Sequence, residues 1–120
     1  MRVVIAIRCL LLLLLTATWA GQATARELSA AELKRLHGVY HAVWKNKYKA
    51  RVLVRRDGTL LARSGNKVDV GRWQVRGNRL CVAFRVWTRG RFKCGRVERQ
   101  GRWYVGMRRK DGTPRLRMRR

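Results

Sequence analysis

Tyr48-Lys49-Ala50-Arg51-Val52-Leu53-Val54-Arg55-Arg56-Asp57-Gly58-Thr59-Leu60-Leu61-Ala62-Arg63-Ser64-Gly65-Asn66-Lys67 is the stretch that decides the fold. Tyr48, Ala50, Val52 and Val54 fall on one side of a period-2 ribbon, and Lys49, Arg51 and Arg55 fall on the other. Asp57-Gly58 suits a type I′ hairpin turn and Gly65-Asn66 a type II′ turn, because both pairs tolerate positive φ. Apolar residues alternating with cations give a sheet with one dry face and one wet face.

The same punctuation continues outward at Gly77-Asn78, Arg89-Gly90, Gln100-Gly101 and Asp111-Gly112. Turn signals at this spacing predict an antiparallel meander. Strands are expected over 39–45, 48–56, 59–64, 67–76, 79–87, 92–99, 102–109 and 115–119. Leu80, Val82, Phe84 and Val86 share one face, as do Trp103, Val105 and Met107. Gly71 breaks the phase between Val70 and Trp73, which predicts a bulge. The fold class is therefore all-β: a small antiparallel up-and-down meander of about eight strands. Closure or curling into a barrel protects its edges, with an interior mostly filled by side chains.

One short helix precedes the strands. Ser29 and Glu32 form a capping box, Leu28 and Leu33 a hydrophobic staple, and Gly38 is placed to stop the helix. Two turns are not stable alone, so Leu28, Leu33 and Leu36 must dock on the sheet, where the helix would plug one mouth.

Residues 1–25 read as a signal peptide. Arg2 and Arg8 precede a run of six leucines from Leu10 to Leu15, and Ala23-Thr24-Ala25 is a small-x-small cleavage site, with a second possible cut after Ala20. The apolar run is too short for a membrane span. Cleavage near Ala25 predicts a periplasmic or secreted protein, leaving residues 26–120 as a single barrel-like domain. The full chain has 30 Lys+Arg against 6 Asp+Glu, a net charge of +24, and cleavage removes only two of the basic residues. Cys81 and Cys94 remain as an even pair, which in an exported small domain suggests a disulfide; two free buried thiols are the alternative. A direct bridge needs Cys81 opposite Cys94 and moves the turn from Arg89-Gly90 to residues 86–89.

The order of Leu28-Ser29-Ala30-Ala31-Glu32-Leu33, Arg56-Asp57-Gly58-Thr59-Leu60, Gly71-Arg72-Trp73-Gln74-Val75, Leu80-Cys81-Val82 and Cys94 resembles a group of small exported proteobacterial domains of unknown function with a lipocalin-like, β-barrel-like sheet. The resemblance spans roughly residues 28 to 105. It implies export, a disulfide and a β-rich fold, and it brings no activity.

Catalytic readings find little support in the residues. His37 and His41 are spaced i, i+4, but Gly38 separates them and no Cys, Asp or Glu completes a metal site. The same pair could act as acid and base on a phosphodiester only if both reached one phosphate. Of the carboxylates, Asp57 and Asp111 read as turn residues and Glu32 as a cap. Asp69 and Glu98 are expected to neutralise arginines. Trp73 and Trp103 are expected in the core and Trp87 near a cationic turn; aromatics among arginines could also stack bases.

The basic residues remain. Arg55, Arg56, Arg85, Arg89, Arg91, Arg108, Arg109, Arg115, Arg117 and Arg119 are the densest groups and the candidate polyanion-binding residues. The sequence thus points to an exported, strongly basic, non-enzymatic binding protein without cofactor or metal. Its expected partner is an anionic membrane surface, lipopolysaccharide or another polyanion, with nucleic acid not favoured. The alternatives are a lipocalin-like carrier of a small apolar ligand and, behind it, a secreted phosphodiesterase or ribonuclease.

Overall fold

The alternation of apolar and cationic residues resolves into ten antiparallel strands in a computed structural model that describes residues 25–120. The reading of the leader falls on residues outside that range, apart from Ala25. The elements are β1 (Arg26–Glu27), α1 (Ala30–Lys34), β2 (Gly38–Trp44), β3 (Tyr48–Val54), β4 (Thr59–Ser64), β5 (Lys67–Arg76), β6 (Arg79–Phe84), β7 (Lys93–Gly95), β8 (Val97–Gln100), β9 (Trp103–Met107) and β10 (Pro114–Arg119). They form one sheet in the order β1-β8-β9-β10-β2-β3-β4-β5-β6-β7, curled into a half-barrel. Seven of the eight expected strands appear as single elements. The expected strand over 92–99 is divided at Arg96 into β7 and β8. Its first half pairs with β6 and its second half with β9. Met107 N donates to Arg96 O at 2.8 Å, so this bent segment brings the two flanks of the sheet together.

Up-and-down topology puts alternate connections at the same end. The β2–β3, β4–β5, β6–β7 and β9–β10 connections share one end, called here the open end. The β3–β4, β5–β6 and β8–β9 connections share the other, where α1 packs on β5 and β6. Leu28, Leu33 and Leu36 are buried there with Tyr40, Val52, Val54 and Leu60. This is the docking that a two-turn helix requires.

The capping box forms as expected: Glu32 N donates to Ser29 Oγ, and Ser29 N donates to the Glu32 carboxylate. The helix ends earlier than expected, at a C-cap on Arg35, and Gly38 (φ +142) instead opens β2. Arg26 grips Glu32 bidentately, both contacts at 2.8 Å, and this pair with the Ser29 amide pulls the Glu32 carboxyl from 4.5 to about 2. A depressed folded-state pKa adds stability that is full above 4.5 and disappears as pH falls through about 2. Glu32→Gln keeps a capping acceptor and removes only the charge. Its melting temperature should therefore lie below wild type at pH 7, and the gap should close between pH 4.5 and pH 2. A gap independent of pH would show that the charge contributes nothing.

Three sequence expectations are corrected by the register. The β4–β5 and β5–β6 pairings run through Gly71 without a shift, so Gly71 is not a bulge. It is a close-approach site: an added Cβ would collide with the Ala83 carbonyl oxygen. Val70 is then free to point outward while Trp73 points in. The Asp57-Gly58 turn has positive φ only at Gly58 (+87), so it is not type I′; Asp57 Oδ1 instead accepts from Thr59 N and Oγ1. In β9 the phase is one residue off. Tyr104, not Trp103, faces the core, and its ring meets Tyr40 edge-on with centroids 6.0 Å apart. Trp103 is half-buried on the outer face, with the Arg119 guanidinium 5.4 Å from its ring centroid.

Cys81 and Cys94 are directly opposed in register and disulfide-bonded. The connection between their strands is a loop over 85–92 rather than a tight turn. A bridge closing a loop of this length contributes on the order of 3 kcal/mol in the chain-entropy picture, and it suits an oxidising compartment.

Candidate functional site

Small residues on the inward faces leave the half-barrel hollow. The register places Ala42 opposite Ala50, both in the inward phase of β2 and β3. A cavity of about 710 Å³ results, running from Leu36 and Val54 at the closed end to the open end. Its wall is apolar, with Trp44, Trp73, Val82, Phe84, Leu116 and Met118 among its residues. The expectation of an interior mostly filled by side chains is corrected here, because those alanines present too little volume to meet across the sheet.

The mouth of the cavity is different in kind. Lys45, Lys49, Lys67 and Lys93 border it and no carboxylate does, although Lys49 lies opposite Val43 in the outward phase of β3. Register puts Lys67 opposite Ser64 and Lys93 opposite Val82, both in the inward phase. Lys45 and Asn46 hold left-handed backbone (φ +51 and +55), a conformation that costs a lysine free energy a glycine would not lose. Among the described residues none of these four lysines is in an ion pair; the ion pairs are Arg26–Glu32, Arg96–Glu27 and Arg108–Asp111.

A second opening lies in the side wall between β7 and β9. It measures about 510 Å³ and shares Trp44, Lys45, Lys93 and Leu116 with the central cavity. Phe92, Arg108 and Arg109 flank it.

Asp69 lies inside this end of the sheet and is buried (3 % exposed). It does not neutralise an arginine, as the sequence suggested. Its carboxylate accepts from Val70 N (2.9 Å), Val86 N (3.2 Å) and Trp87 N (2.9 Å), and so holds the 85–92 loop. Glu98 likewise accepts from Gln100 Nε2 rather than from an arginine.

The candidate arginines do not converge on one place. Arg55 and Arg56 are exposed at the closed-end turn. Arg85, Arg89 and Arg91 are exposed on the 85–92 loop, and Arg108 and Arg109 on the β9–β10 loop, all at the open end. Arg115, Arg117 and Arg119 line the outward face of β10, with Leu116 and Met118 turned in. Arg119 pairs in register with His41, which is exposed on the outer face of β2; His37 lies before β2 begins. The two histidines therefore share no helical face, and no group of three metal-ligating side chains occurs among the described residues.

Lys93 and Lys110 stand in the densest basic groups of the sequence, but the candidate site residues are all arginines, and the lysines as a set share one end. Lys45, Lys47, Lys49, Lys67, Lys93 and Lys110 all lie in or beside open-end connections, and only Lys34 lies at the other end. Five large apolar residues are exposed at that same end: Tyr48, Val68, Val70, Val86 (66 %) and Trp87 (45 %). The closed end also carries cations, but it keeps Glu27, Glu32, Asp57 and Glu98 beside them, whereas the open end has only the buried Asp69 and Asp111, which pairs with Arg108. No family model, curated protein or solved structure matches the chain.

Proposed function

We propose that the protein is an exported, non-enzymatic binding protein that docks open-end-down on an anionic lipid surface. The observation that carries this reading is the coincidence at one end of exposed apolar side chains and unpaired lysines. Scattered exposed hydrophobes are ordinary, whereas a cluster rimmed by one sign of charge marks a contact surface. Trp and Tyr suit the headgroup layer, where an apolar ring body and a polar edge are both satisfied. Each cation brought to an anionic surface adds about 1 kcal/mol of attraction, screened by salt. The Cys81–Cys94 bridge and the leader pattern of residues 1–25 support a periplasmic or secreted location.

Flotation with phosphatidylglycerol-containing vesicles, against phosphatidylcholine vesicles, tests the reading. Arg85, Arg89 and Arg91 replaced together by Gln should weaken partitioning by roughly tenfold or more. Val86→Asp should weaken it further, and Arg55→Gln with Arg56→Gln should change it little. Equal losses from the two ends would overturn the docking orientation. Salt-sensitive retention on heparin with no vesicle partitioning would replace the lipid surface by a soluble polyanion.

A further inference from the structure

The central cavity has two halves of opposite chemistry, and we infer that it is a binding site for a single-chain amphiphile with an anionic head, a long-chain carboxylate. The apolar depth between Trp44, Trp73, Phe84 and Met118 accepts the chain, since transfer of each methylene from water is favourable. The head then sits among Lys45, Lys67 and Lys93, where no protein carboxylate lines the cavity. At about 710 Å³ the cavity is within the size range of small-molecule sites, which are mostly apolar with a few polar groups fixing orientation. An uncharged ligand would leave the lysines idle, and a cationic one would be repelled at the mouth. A polymer or a two-chain lipid held by its headgroup alone would make no use of the apolar depth.

The side opening between β7 and β9 adds a second polar border to the same space, with Lys45 and Lys93 common to both. Those two lysines hold a head at the junction while the chain lies toward Leu36.

The test needs no vesicle, so its failure would leave the docking proposal standing. The purified protein is titrated with cis-parinaric acid, a fluorescent long-chain carboxylate, and with its methyl ester. Saturable one-to-one uptake of the acid is expected, with the ester bound at least about tenfold more weakly because its head carries no charge. The combined variant K45Q/K67Q/K93Q should lose about tenfold or more for the acid and little for the ester. Ala50→Trp, which fills the cavity wall, should lower uptake of both. Equal affinity for acid and ester, or an unchanged constant in the three-lysine variant, overturns the headgroup assignment. Undiminished uptake by a folded Ala50→Trp protein overturns the cavity as the site. Should Ala50→Trp not fold, the lysine variant decides alone, because its substitutions are at exposed positions.

Discussion

Gly95→Val should lower the melting temperature of the protein by more than about 10 °C, and Gly95→Ala should come close. A Cβ at this position collides with the Met107 carbonyl oxygen, a backbone atom in the strand that meets the bend of the 93–100 segment. Backbone cannot rotate aside as a flexible side chain would. Relief therefore requires the flanks to part where Met107 N reaches Arg96 O. Overpacking of this kind costs roughly 1–3 kcal/mol or more, and in a domain this small each kcal/mol moves the midpoint by about 4–8 °C. The disulfide one residue away, at Cys94, limits how far β7 can move from β6, so the strain falls on the β7–β9 side. Gly77→Ala is the control, with nothing within 4 Å of its added Cβ and only the strain of its φ of +58 to bear. Thermal unfolding of the two variants should differ clearly. A Gly95→Val protein melting within a few degrees of wild type would mean that the flanks are not held together there.

The strand phase was largely legible from residues 48–67, because cations mark the wet side of each strand unambiguously. Trp103, Val105 and Met107 misled for the converse reason. They alternate as a dry face should, and Val105 is fully buried, yet the two-residue turn at Gly101-Arg102 pairs Gln100 with Trp103 and turns Tyr104 rather than Trp103 toward the core cluster. Arg119 shields Trp103 on the outside, and Tyr104 takes the inner position. The cavity was harder to foresee. It depends on Ala42 and Ala50 lying opposite one another on separate strands, a relation that no single strand reveals. Asp69 was hidden for a similar reason, since two of its donors lie 17 and 18 residues away in an irregular loop. The lysine collar, by contrast, was readable. Once an up-and-down order is accepted, alternate turns share an end, and six of the seven lysines flank the same set of turns.

Asp69→Ala joins stability and docking in one measurement. The carboxylate is the acceptor that fixes Val86 N and Trp87 N, and with them the loop that presents Val86, Trp87 and Arg85, Arg89 and Arg91. Hydrogen bonds to a charged group are worth about 1.5–3 kcal/mol each, and removing the acceptor also strands partly buried donors. A loss of about 3–5 kcal/mol follows from the two loop contacts taken with the local one from Val70. Asp69→Asn should lose less, because its amide oxygen can still accept from one or two of the same amides. The functional consequence has a distinct sign. Removing Asp69 makes the protein more positive, so a surface held by charge alone should bind the Asp69→Asn protein more tightly. If docking also needs Val86 and Trp87 held in place, vesicle partitioning should fall despite the extra positive charge. Partitioning that rises with net charge while the loop loosens would show that the apolar side chains play no part, and would leave the open end as a purely electrostatic surface.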